Sequence, residues 1–237
     1  MKIDVLGLGF DNVRMDEAVE RALSLMGEKR GAYVCTPNPE GLLCCRKDPA
    51  ARAAVQGADL VLPDGVGVLM GAKILGRPLK ERVTGIDFFE ALLARMEGTV
   101  FLLGAKPGVA ERAARTLEAR YPNISVCGWS DGYFRDEEAL WQQIVARKPD
   151  FLAVCLGMPK QELFMARHAG DPRVGLMAGL GGALDVLAGD VSRAPAFFRR
   201  HKIEWLYRLM REPKRIKRQI RLPLYLLAVV RQRMRHE

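Results

Sequence analysis

At 237 residues, 49% apolar and 27% charged, the chain is long enough to bury one sizeable core and too hydrophobic to remain disordered. No run approaches the roughly 20 apolar residues of a membrane-spanning helix, and Met1-Lys2-Ile3-Asp4-Val5 lacks the layout of a secretory leader, so a cytoplasmic chain is expected. Five cysteines without Cys-x-x-Cys spacing and three scattered histidines argue against a zinc knuckle, a disulfide scaffold or a histidine-rich metal site.

The charge is unevenly placed. Between Arg193 and Glu237 stand 14 Lys and Arg against 3 Asp and Glu, a local net of +11, while the remaining 192 residues hold 23 basic and 25 acidic groups. A near-neutral globule with a basic tail is the expected shape of the molecule.

In chain order, short β-rich runs alternate with amphipathic stretches, the pattern of a parallel sheet covered by helices. Strands are predicted at Ile3–Leu6, Ala32–Thr36, Leu60–Leu62, Val100–Leu103, Ile124–Val126, Phe151–Leu156 and Val174–Met177. Helical spacing runs over Met15–Met26, Phe88–Met96, Val109–Arg120 and Glu137–Arg147. The fold class is therefore α/β, a Rossmann-like, mostly parallel sheet over residues 1–195. Residues 196–237 are expected to form a basic, amphipathic helical appendage, with helical spacing over Lys202–Arg211, a break at Pro213 and an apolar patch from Leu222 to Val230. Nine apolar residues cannot cross a bilayer, but beside arginines they suit an anionic membrane interface.

In an open α/β sheet ligands bind beyond the carboxyl ends of the strands, and several predicted strands end in Gly, Pro, Asn or Asp. Gly7-Leu8-Gly9 invites a dinucleotide reading, yet the third glycine is Asn12 and the acidic residue after the second strand is replaced by Thr36-Pro37-Asn38; a plain β-turn is the better reading. Asp64 follows a buried strand and precedes Gly65-Val66-Gly67, a place for a carboxylate that accepts a proton from a hydroxyl, or simply for a helix cap. Thr36 and Asn38 offer hydrogen bonds at a strand end, or a turn and helix start. Arg82 puts a cation before a helix. Gln161 sits in a first helical turn, and Gly181-Gly182 with Asp185 gives a glycine-lined approach to another helix. Each signal alone is weak.

Together, Thr36-Pro-Asn38, Pro63-Asp64-Gly65, Glu81-Arg82-Val-Thr-Gly85, Leu103-Gly104, Gly157-x-Pro159-Lys160-Gln161-Glu162, Gly181-Gly182 with Asp185, and Arg193-Ala194-Pro195 resemble the WecG/TagA/CpsF glycosyltransferases in order and over nearly the whole chain. Met158 departs from the small residue usual there. The resemblance implies an inverting, metal-independent transfer, needing no cofactor, from UDP-N-acetylmannosamine or a related UDP-N-acetylhexosamine. The implied acceptor is N-acetylglucosamine on undecaprenyl pyrophosphate, as in the assembly of a wall-teichoic-acid-like surface polymer at the inner membrane face. It implies Asp64 as general base, Arg82, Arg208, Arg215 and Arg218 as cations completing the active site, and Thr36, Asn38, Gly104, Gln161, Gly181 and Asp185 around the donor. The absence of Asp-x-Asp agrees with a metal-independent scheme. Membrane contact is expected to fold the tail over the site. A homo-oligomer is a further expected partner, whereas a nucleic-acid-binding arm and a nicotinamide oxidoreductase are the rival readings.

Overall fold

The computed structural model describes residues 1–193, Pro195, Phe198, Tyr207 and 221–234. A hairpin of β1 (Lys2–Val5) and β2 (Leu8–Asp11) leads into α1 (Met15–Gly27), β3 (Ala32–Cys35), α2 (Pro39–Lys47), α3 (Pro49–Gln56) and β4 (Leu60–Val61). Then follow α4 (Val66–Ile74), α5 (Gly85–Leu93), β5 (Gly98–Gly104), α6 (Val109–Arg120), β6 (Ile124–Ser130) and α7 (Glu137–Ala146). The series continues with β7 (Phe151–Cys155), α8 (Lys160–His168), β8 (Leu176–Gly179) and α9 (Ala183–Leu187). Among the described residues the last helix is α10 (Arg221–Met234).

Six strands form one parallel sheet in the order β4-β3-β8-β7-β5-β6. Strands β3, β7 and β8 are buried along their whole length, as expected where helices cover both faces. Alternate residues feed two cores. Val34, Leu60, Val100, Leu102, Phe151, Ala153, Leu176 and Ala178 meet α1, α5, α6 and α9. Tyr33, Cys35, Val61, Phe101, Leu103, Leu152, Val154 and Met177 meet the hairpin, α2, α3, α4, α7, α8 and α10.

Several predicted boundaries shift, two of them for visible reasons. The last strand begins two residues later than predicted, and Val174 N–H instead closes a turn onto the Asp171 carbonyl at 3.2 Å. Helix α5 starts at Gly85 rather than Phe88, because Thr84 caps it by accepting from Asp87 N–H. The dinucleotide reading also loses its geometry. Leu6 and Gly7, at φ of 56° and 80°, turn β1 back into antiparallel β2, so no helix follows the glycines.

The hairpin is fastened to β4 through Asp11, which is 2% exposed. Its Oδ2 accepts from Val61 N–H at 2.9 Å, and its Oδ1 pairs with Arg21 Nη1 at 2.9 Å. Helix α10 lies on α2 and α4, burying Ala228 and adding Tyr225 and Val229 to the second core. Full burial of side chains the size of Tyr225 and Val229 stabilises by roughly 1.5–3 kcal/mol each.

Asp11→Ala leaves the buried Val61 N–H without an acceptor, at a cost of roughly 1–3 kcal/mol. For a chain of this size Tm should fall by roughly 2–4 °C per kcal/mol. A thermal melt indistinguishable from that of the parent would show that the hairpin is held by packing alone.

Candidate functional site

All six strands of the parallel sheet point the same way, and Thr36, Asn38, Asp64, Gly104, Gln161, Gly181 and Asp185 stand at or after their carboxyl ends. Thr36 follows β3, and its hydroxyl donates to the Gly179 carbonyl at 2.8 Å, across the β3–β8 pair. A Cβ on Gly85 would stand 3.2 Å from Thr36 Oγ1 and 3.7 Å from Leu180 Cα, which brings the start of α5 to the same place. Asn38 caps α2 by accepting from Gly41 N–H at 2.9 Å, the helix-start role that the sequence left open.

Asp64 follows β4 and is half-buried. The residue capping α4 is Gly65, at φ of 95° and with no side-chain cap, so Asp64 does not hold the N-cap position. A Cβ on Gly65 would sit 3.9 Å from Asn38 Cβ, so the loops after β3 and β4 touch. Val83 N–H donates to the Pro63 carbonyl at 3.1 Å. This bond fastens the segment bearing half-buried Arg82 to the segment bearing Asp64.

Gln161 is 4% exposed and joins the other half of the edge. Its Oε1 accepts from Gly157 N–H and from Gly181 N–H, each at 3.1 Å, while Nε2 donates to Glu162 Oε1 at 2.9 Å. The carbonyl of this side chain is therefore engaged in holding the loops after β7 and β8 together, and one amide N–H is engaged by Glu162, leaving the second N–H as its means of touching a ligand. Gly104 ends β5 at φ of 130°, with the Cys155 carbonyl oxygen 2.3 Å from where a Cβ would be. Only glycine fits that close approach. Asp185 lies on the short helix α9, its Oδ2 3.6 Å from the Cβ position of Gly182. Arg208, Arg215 and Arg218 lie outside the described residues.

Two features were not assigned a role from sequence. Arg193 pairs with both Asp87 and Glu90 of α5, and Asp87 also accepts from the Thr84 hydroxyl at 2.6 Å, so the end of the continuously described body is tied to the start of α5. Glu162 is 1% exposed, and its Oε2 has no hydrogen-bond partner. Burial pushes its carboxyl above the usual range, against the lowering effect of the Gln161 hydrogen bond. Its position directly after Gln161 was the only sequence signal. Nearby thiols offer no nucleophile: burial pushes Cys155 up to about 12 and Cys35 well above its ordinary value. Among the described residues no three His, Cys, Asp or Glu side chains stand close enough together to hold a metal ion.

Residues 3–237 match the family described as glycosyl transferase WecG/TagA/CpsF. A protein of Bacillus spizizenii named N-acetylglucosaminyldiphosphoundecaprenol N-acetyl-beta-D-mannosaminyltransferase is 37% identical over 209 residues, covering 87% of this chain and 81% of its own. A Bacillus subtilis protein of the same name is 37% identical over 210 residues, with 86% and 81% covered. One of Staphylococcus aureus, again so named, is 33% identical over 235 residues, covering 97% and 92%.

The folded state holds the Glu162 proton to higher pH than the unfolded chain does. Its contribution to stability is therefore complete below the ordinary glutamate value of 4.5 and is lost as pH rises toward the folded value. Glu162→Gln keeps an acceptor for Gln161 and removes that loss. Paired melts should show the variant more stable than its parent at about pH 8 and level with it at about pH 4; an equal gap at both would refute the assignment.

Proposed function

Because the chain belongs to the WecG/TagA/CpsF family of glycosyl transferases, we propose that it moves an N-acetylmannosaminyl or closely related N-acetylhexosaminyl group from a UDP-sugar to N-acetylglucosamine on a polyprenyl diphosphate. The transfer proceeds with inversion and without a metal, as one step in building a surface polymer of the wall-teichoic-acid kind. The relatives are named for that acceptor and that sugar. One observation carries the mechanism: the Val83–Pro63 hydrogen bond, which keeps a carboxylate segment and a cationic segment side by side.

In this reading the acceptor hydroxyl oxygen attacks the anomeric carbon from the face opposite the leaving group. Asp64 takes the hydroxyl proton as the new bond forms. The anomeric carbon–oxygen bond breaks at the same time, and its electron pair leaves on the UDP oxygen. Negative charge grows there, and fixed donors are the physical means of stabilising it. Arg82 supplies one guanidinium; Arg208, Arg215 and Arg218 are the further cations expected from the basic segment. The absence of any Asp-x-Asp pair supports stabilisation by such groups instead of a divalent ion. Thr36, Asn38, Gly104, Gln161, Gly181 and Asp185 line the strand ends where the sugar and nucleotide would be read.

The acceptor is tethered to lipid, and α10 is suited to meet it at the anionic inner face of the membrane. Leu224, Leu227, Val230 and Met234 are 40–62% exposed, while Tyr225, Ala228 and Val229 turn inward. Exposed Arg231 and Arg233 stand beside this stripe. No helix among the described residues is long and apolar enough to cross a membrane. An apolar stripe flanked by arginines is the pattern of an interfacial helix.

Asp64→Asn should lower turnover by about 10²–10⁴ while UDP-sugar binding persists, and excess chelator should leave the parent enzyme's rate unchanged. Initial-rate assays with a short-chain lipid-linked acceptor check both. Full turnover by the variant, or inhibition by chelator, would sink the mechanism. Replacing Leu224 and Leu227 together by Glu should abolish flotation with anionic vesicles while the melt is kept. Unchanged flotation, or a concentration-dependent mass showing the stripe buried between two copies, would sink the membrane reading.

A further inference from the structure

Helix α10 packs on α2 and α4, the two helices that begin just after Asn38 and Asp64. Tyr225 is fully buried, and its hydroxyl donates to the Gly67 carbonyl at 3.0 Å. Burial raises its phenol above the ordinary value, so it remains a donor through the working pH range. A Cβ on Gly71 would stand 2.1 Å from Tyr225 Oη and 3.1 Å from Cζ. The missing side chain of Gly71 therefore leaves the slot that the phenol occupies, one turn along α4 from the Gly67 carbonyl that its hydroxyl reaches.

This slot is close to the chemistry. Gly67 is three residues beyond Asp64, and α4 begins without a side-chain cap. Its first turn is instead covered by neighbouring side chains at Gly67. A Cβ on Gly67 would meet Pro39 Cγ at 2.5 Å and Leu222 Cδ1 at 3.3 Å, so α2 and α10 both close on it. The far end of α10 is also fixed. Gln232 accepts from Leu6 N–H at 2.8 Å and donates to Asp4 at 2.6 Å, and Arg233 donates to the Ile74 carbonyl at 2.7 Å.

We propose that Tyr225 is a positioning residue for the transfer: its hydroxyl, seated between Gly67 and Gly71, fixes the first turn of α4 and thereby the placement of the Asp64 carboxylate. The proposal rests on reading Asp64 as the base. It requires no contact between Tyr225 and either substrate. Tyr225→Phe keeps the ring in its slot and releases only the Gly67 carbonyl, so the effect is confined to one hydrogen bond.

The test uses the full chain and four proteins: parent, Tyr225→Phe, Asp64→Asn and the double variant. Tyr225→Phe should lower kcat roughly tenfold, the scale of one lost hydrogen bond expressed in a transition state, with KM for the UDP-sugar changed less than about twofold. In the Asp64→Asn background the same change should cost less than about twofold, because the group being positioned is gone. Gly71→Ala, which expels the ring from the slot while favouring the helix, should reproduce the kcat loss. Parental kcat in Tyr225→Phe overturns the proposal, as does an equal loss in both backgrounds or a loss confined to KM. The base reading fails separately, through an Asp64→Asn protein that turns over at the parent's rate.

Discussion

The carbonyl oxygen of Gln161 is the point on which the site depends. It accepts two backbone N–H groups, from Gly157 and Gly181, and so joins the loops that leave the adjacent strands β7 and β8. Backbone N–H groups at a strand's carboxyl end are otherwise left to water or to a ligand. Tying two of them to one side chain fixes where both glycine-rich turns lie, and α8 and α9 begin from those turns. The nearly complete burial of Gln161 makes the joint stiff, since a competing water has little access. Glu162 holds the amide end, and its own carboxyl is kept from ionising easily by the same burial.

Around this joint the edge is built from short-range contacts that reinforce one another. Thr36 reaches the strand next to its own, Gly65 lies against Asn38, and the Arg82 segment is bonded to Pro63. The glycines serve close approach, not mobility: Gly104 has no room for a side chain against the Cys155 carbonyl. A ligand entering such an edge meets groups already in place, which is the condition under which fixed dipoles and charges lower a barrier.

Much of this was legible in advance for identifiable reasons. The β-branched and aromatic runs around Val34, Val100 and Phe151 needed burial on both faces, and that requirement admits few architectures beyond a helix-covered parallel sheet. Thr36, Asn38, Asp64 and Gln161 stood out as polar or turn-forming residues directly after such runs. The short strand at Leu8 escaped, because Gly7 and Gly9 hid its alternation and its pairing depends on a turn with Leu6 at positive φ. The Gln161 joint escaped because its partners are backbone atoms, which no residue type advertises. The apolar run from Leu222 to Val230 read as one patch, whereas helical periodicity divides it into an inward half with Tyr225 and Val229 and an outward half with Leu224 and Leu227.

The stitching of α10 to the hairpin has a consequence for how the molecule comes together. Its hydrogen bonds to Leu6 and Asp4 span 226 and 228 positions of sequence. Contacts of such separation form late, since a long stretch of chain must close before they repay its lost entropy. During synthesis the parallel sheet can therefore assemble while one flank, the apolar wall offered by α2 and α4, is still bare. A chain lacking α10 would keep that wall bare, an exposed apolar surface of the kind that drives self-association.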